Sequence, residues 1–148
     1  MSDILLDTNI IIDFFETQRE FHEDATKLID QALAGGHTLY VAATTCKDSY
    51  YILTHLRGES EARQCIQAIF TSIELLPVDN RTCYDGFNSS EPDFEDGIIR
   101  SCAELNHLDY LVTRDSKAFK DSSVKALDPQ AMLGILNGKT LSTRQPPS

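Results

Sequence analysis

Positive charge is scarce in this sequence. Thirteen lysines and arginines stand against 23 aspartates and glutamates, a formal net charge of −10 over 148 residues. Affinity for a nucleic-acid backbone comes mainly from Lys and Arg, so this balance excludes a protein that grips nucleic acid by bulk electrostatics, and any such contact has to be local. The four cysteines, Cys46, Cys65, Cys83 and Cys102, make no C-x-x-C pair, and no histidine stands at zinc-finger spacing. That argues against a structural zinc site and leaves buried thiols in a reducing compartment as the expectation. No segment approaches the roughly 20 apolar residues of a membrane span, and no charged N-terminal region precedes a long apolar stretch. The expectation is a cytoplasmic protein with no membrane partner. Internal repeats and low-complexity tracts are also missing.

What is present is a core's worth of apolar residues, 41% of the chain, enough for one domain. We expect that domain over residues 1–137 and a flexible C-terminal tail over 138–148, where apolar periodicity stops and Pro146-Pro147-Ser148 closes the sequence. Short apolar runs alternate with helical patterns. Strands are predicted at Ile4–Leu6, Thr38–Ala42, Ile73–Val78, Asp109–Thr113 and Val124–Leu127. Helices are predicted at Asn9–Phe15, Phe21–Ala34, from Thr44 or Thr45 as cap to Arg57, Glu59–Ser72, Asp79–Phe87, Asp93–His107 and Pro129–Leu136, with a helical turn at Ser116–Phe119. Five strands alternating with helices predict an α/β fold of three layers, α/β/α, around a central parallel sheet.

Aspartates stand at the ends of these runs. Asp7 and Asp115 follow predicted strands, while Asp48 and Asp96 fall near the starts of predicted helices. In a parallel sheet, strand carboxyl ends and helix starts share one edge, so the four converge there. Crowded carboxylates repel unless protons or cations neutralise them, and oxygen-only ligation suits Mg²⁺ or Mn²⁺. Taken singly, each has a plainer role: Asp7 as an N-cap, Asp93 with Asp96 as a variant capping box, Asp115 as a turn initiator. His22, His37, His55 and His107 are scattered and read as surface or structural residues. Arg114, Lys117, Lys120 and Lys125 make a modest basic stretch beside the last acid.

Four segments, Leu5-Leu6-Asp7-Thr8-Asn9, Thr44-Thr45-Cys46-Lys47-Asp48-Ser49-Tyr50-Tyr51, Asp93-Phe94-Glu95-Asp96 and Val112-Thr113-Arg114-Asp115, resemble in order and spacing the acidic motifs of PIN-domain nucleases. That family includes the toxin components of bacterial VapBC toxin–antitoxin pairs. The resemblance runs from about Ile4 to Leu136 and departs at Asp48, where the family often has Glu. It implies hydrolysis of RNA phosphodiesters assisted by one or two Mg²⁺ or Mn²⁺ ions, with Asp7 and Asp96 as principal ligands, Asp115 and Asp48 completing the site, and Asp93 contributing. It also implies an antitoxin partner and a homodimer. Thr8, Asn9 and Thr113 either orient the carboxylates or cap local backbone. Arg114 either reaches a substrate phosphate or pairs with a nearby acid, and Tyr50 and Tyr51 are core and partner surface or stack on a base. Two other readings remain. One is a haloacid-dehalogenase-like phosphatase with Asp7 as nucleophile, although Asn9 stands where its second aspartate belongs; the other is a PIN fold that docks a partner without turnover.

Overall fold

Ile4, Leu5 and Leu6 are wholly withdrawn from solvent, the mark of a strand covered on both faces of a parallel sheet. They belong to β1 (Asp3–Leu6). In the computed structural model, which describes residues 1–138, β1 is joined by β2 (Thr38–Ala42), β3 (Glu74–Leu76), β4 (Tyr110–Val112) and β5 (Lys125–Leu127). The order is β3-β2-β1-β4-β5 and every pairing is parallel. The tail expected from 138 onward lies, beyond Gly138, outside the described residues.

Alternation along the strands builds two cores. Ile4, Leu6, Leu39, Val41 and Val112 face α1 (Thr8–Phe15), α2 (His22–Ala34) and α7 (Pro129–Leu136), together with Ile69 of α4 (Glu59–Ser72). Leu5 and Leu111 face the opposite way, onto Ile99, Cys102 and Ala103 of α6 (Phe94–Leu105) and onto Phe119 of the 3₁₀ turn Ser116–Phe119. The fold is therefore the expected three-layer α/β/α arrangement. A third cluster, Ile12, Leu53 and Ala62, ties α1 to α3 (Ala43–Arg57) and α4. α5 (Asn80–Phe87) packs on α6 through two glycines: a Cβ added to Gly97 would stand 2.3 Å from the Gly86 carbonyl oxygen.

Several boundaries differ from the sequence reading. α3 starts at Ala43 with Ala42 as its cap and no capping side chain, because Thr45 is buried against α1, its Oγ1 3.0 Å from Thr8 Oγ1. Asp48 accordingly sits in the second turn. β3 is only three residues long: Ile73 still donates its N–H to the Ile69 carbonyl of α4, and Pro77 has no N–H to extend the ladder. α6 stops at Leu105, since His107 turns left-handed at φ 53°. Two aromatic residues at the apolar spacing of their helices reach solvent, Phe70, which is mostly exposed on the outer side of α4, and Phe21, which lies under the Arg114 guanidinium. Of the four free thiols only Cys102 is fully buried; Cys46, Cys65 and Cys83 are half-buried.

Candidate active site

The chain builds β1, β2 and β3 outward on one side and then returns to place β4 on the other flank of β1. That reversal opens a crevice at the carboxyl ends of β1 and β4. Asp7 leaves β1 there in an extended conformation and caps α1, its Oδ1 accepting the Thr8 N–H at 2.7 Å. Its Oδ2 accepts the Thr113 hydroxyl from the end of β4 at 2.9 Å. The Thr113 oxygen in turn accepts the Asp115 N–H at 3.1 Å. The capping role and the site role of Asp7 therefore coincide, and Thr8 and Thr113 orient its carboxylate. Burial pushes the Asp7 carboxyl up; the donations from Thr113 and Thr8 and the positive charge of Arg114 oppose the rise, and Asp115 adds to it.

Asp96, in the first turn of α6, faces Asp7 across a cleft of about 200 Å³ whose lining includes Asp7, Thr8, Asp48, Asp96, Lys47 and Phe94. Its carboxyl is pushed up to about 6, first by burial and then by the negative charges of Asp7, Asp93, Glu91 and Asp115. Three of the predicted acids converge: Asp7, Asp48 and Asp96 line the cleft, while Asp93 and Asp115 are exposed, outside its lining, and reach Asp96 through their charge. Two of them carry other duties: Asp48 is ion-paired with Lys47 at 2.7 Å, and Asp93 Oδ1 caps α6 by accepting the Glu95 N–H at 2.8 Å.

Among the described residues, no three His, Cys, Asp or Glu groups stand close enough together to enclose one ion. The donor chemistry nevertheless fits a hard divalent cation. The side-chain oxygens that line the cleft come from carboxylates and hydroxyls, and the carboxylate charges repel one another. A cation is the group that such a set neutralises.

Sequence reasoning missed Asp13. Its side chain is 1% exposed and receives both Arg114 Nε at 2.7 Å and Arg19 Nε at 3.1 Å. Arg114 is therefore in an ion pair, the second of the two roles expected for it. The available signal was an acid inside the run Ile10-Ile11-Ile12-Asp13-Phe14-Phe15, a place where a charge needs a partner. Glu91, in the turn before α6, was missed as well; it is buried against Arg100 at 3.0 Å and adds its charge to Asp96. The histidines do structural work outside the cleft. The Nδ1 of His37 accepts the Ser2 N–H, and the Nδ1 atoms of His22 and His55 lie 2.9 Å from backbone carbonyls. Tyr50 is bonded to Glu59 and Tyr51 is exposed.

The sequence matches the PIN-domain family model over residues 3–117. The chain belongs to the PIN-domain nuclease family. No curated protein matches it. Its fold is similar to that of VapBC-1 from nontypeable Haemophilus influenzae (16% identity, 86% of this chain and 98% of that one, TM-score 0.67). It is also similar to a toxin–antitoxin complex from Klebsiella pneumoniae (20% identity, 85% and 97%, TM-score 0.65). A third likeness is to VapC20 from Mycobacterium tuberculosis, described as a toxin that cleaves the sarcin–ricin loop (11% identity, 73% and 86%, TM-score 0.61). At these identities the likeness is one of fold. None of the helices in the described residues is long and apolar enough to cross a membrane.

Proposed function

We propose that this PIN domain is an Mg²⁺- or Mn²⁺-dependent endoribonuclease and the toxin of a toxin–antitoxin pair. The observation that carries the proposal is the convergence of Asp7, Asp48 and Asp96, from three separate elements, on one cleft at the carboxyl edge of the sheet. Asp7 and Asp96 are the principal metal ligands, and Asp115 and Asp48 complete the set by side-chain rotation. For Asp48 that means leaving Lys47. Asp93 contributes from the rim. When bound, the cation activates water and offsets the charge that builds on the phosphate and its leaving oxygen.

The rest is done by the chain's own groups. Thr8 and Thr113 hold the Asp7 carboxylate in one orientation while leaving lone pairs on both oxygens, since each has spent only one. Lys47, freed by rotation of Asp48, supplies a local cation for the substrate backbone. The Asp13 pair holds the Arg114 guanidinium where its charge acts on Asp7, and the nitrogens not bonded to Asp13 are available to a phosphate. No histidine is needed as general base.

The phosphatase reading is weakened because Asn9 stands where a second aspartate would act as acid. The silent-module reading is weakened because the acids are intact. An antitoxin partner, a homodimer and a cytoplasmic location belong to the same proposal. The partner finds support in the toxin–antitoxin neighbours and in a groove of about 630 Å³ between α3 and α4, where Tyr50, Ile66 and Phe70 stand among Lys47, Arg63 and Gln67. The test is cleavage of a panel of labelled RNAs and single-stranded DNAs with Mn²⁺, Mg²⁺ or EDTA, by the protein and its Asp96→Asn variant. RNA cutting that needs metal and vanishes in the variant supports the proposal. Retained cutting by the variant overturns the assignment of Asp96, and DNA-only cutting overturns the substrate.

A further inference from the structure

Phe94 is the first residue of α6, a helix position at which a polar side chain costs nothing, yet it is aromatic and 49% exposed. It lines the same cleft as Asp7, Asp48 and Asp96. Its ring meets that of Phe87, itself 75% exposed at the end of α5, edge to face with centroids 6.2 Å apart. Tyr84, 69% exposed, lies three residues earlier on the same face of α5. The two phenylalanines cannot drift apart easily. Gly86, next to Phe87, and Gly97, three residues after Phe94, press backbone to backbone with no room for a Cβ on either. A rigid aromatic surface therefore adjoins the carboxylates.

We infer that Phe94, supported by Phe87, is a stacking platform for a nucleobase of single-stranded RNA next to the scissile phosphate. The inference rests on the ribonuclease reading of the cleft and names what that cleft recognises. The charge balance gives the reason. With 13 basic residues against 23 acidic ones, and with Arg19 and Arg100 held by acids, the cations the ribonuclease reading brings to the cleft are Lys47 and Arg114, each shared with an acid, a thin set for holding a polyanion. Base–aromatic stacking holds a strand without positive charge, and every base has a π-face to offer. A double-stranded substrate keeps its bases stacked inside the helix and offers no free face. Phe94 thus selects unpaired segments and leaves base identity open. A protein partner would also cover an exposed phenylalanine, but the shared lining with the carboxylates places the ring on the path of a strand whose phosphate they address.

The test separates this inference from the ribonuclease reading by scoring binding alone. A short fluorescent single-stranded RNA and its copy with abasic riboses are titrated with the protein, with Ca²⁺ in place of Mg²⁺ to spare the strand. The intact RNA should bind about tenfold more tightly than the abasic one, as expected for one stacked base. Phe94→Ala should lose about that factor on intact RNA and almost nothing on abasic RNA, Phe94→Trp should retain it, and Phe87→Ala should lose part of it. Equal affinity of wild type for the two strands, an equal loss on both in Phe94→Ala, or no loss at all overturns the platform. RNA cleavage by the wild type alongside any of those results sinks the platform and spares the ribonuclease. An intact Phe94 effect without cleavage of any RNA does the reverse.

Discussion

Asp96→Asn should make this protein more stable, and the gain should depend on pH in a defined direction. The Asp96 carboxyl is raised from 3.8 to about 6 in the fold, so the folded state binds this proton more tightly than the unfolded chain does. Stability owed to the protonated form is complete below about pH 4 and is lost as pH rises through about 6; above that the ionised group is a standing penalty. A shift of about two units sets a ceiling of about 3 kcal/mol. Solvent reaches part of the carboxyl, and screening brings the figure to about 1.5 kcal/mol. Asparagine keeps the shape and removes the charge. Its variant should match wild type near pH 4 and exceed it by about 1.5 kcal/mol at about pH 8, roughly 4–6 °C in Tm, read by thermal and urea melts across that range. The second half of the assay adds Mn²⁺, which should raise the wild-type Tm and leave the variant nearly unmoved. A variant less stable than wild type at about pH 8, or equally stabilised by Mn²⁺, refutes the crowded-carboxylate account of the cleft.

Three further substitutions probe the frame around it. Thr113→Val removes the donor to Asp7 Oδ2 and the acceptor of the Asp115 N–H; it should cost about 1–3 kcal/mol. With one lowering partner gone, the Asp7 carboxyl rises further, and the acid limb of the cleavage–pH profile should move to higher pH. Asp13→Asn leaves Arg19 and Arg114 without their buried counter-charge and should cost about 2–4 kcal/mol by urea denaturation, with weaker RNA binding as the Arg114 guanidinium loses its anchor. Gly97→Ala drives a methyl to 2.3 Å from the Gly86 carbonyl and should cost about 3 kcal/mol or more; a near-wild-type Tm would mean that α5 and α6 are not locked.

The strands and helices were legible where a single physical signal dominated. β2, α4 and α7 fall where the apolar period and the flanking glycine or proline put them, and the acids at the run ends reached one edge because parallel topology leaves them nowhere else to go. The errors share a different cause, a tertiary partner that no local pattern reveals. Thr45 reads as a helix cap and is instead buried against Thr8. Asp13 sits unnoticed in an apolar run because its partners, Arg19 and Arg114, lie 6 and 101 residues away. Phe70 has the spacing of a core residue, but α4 shields only the edge of the sheet, so its outer face is left in water. Phe94 stands inside an acidic motif, and its exposure depends on how α5 meets α6.

The bond between Thr113 and Asp7 joins residues 106 positions apart, and the strand that carries Asp7 is the first of the sheet to be made. A nascent chain therefore exposes its earliest acid long before the groups that orient it exist. Until the segment through Asp115 has left the ribosome, β1 has no β4 to lie against and Asp7 Oδ2 has no Thr113 hydroxyl to fix it. Fixing Asp7 is a long-range closure, the kind of contact whose loop entropy must be overcome before it is rewarded. All the acids that line the cleft can therefore be present in a growing chain before Asp7 is held in one orientation.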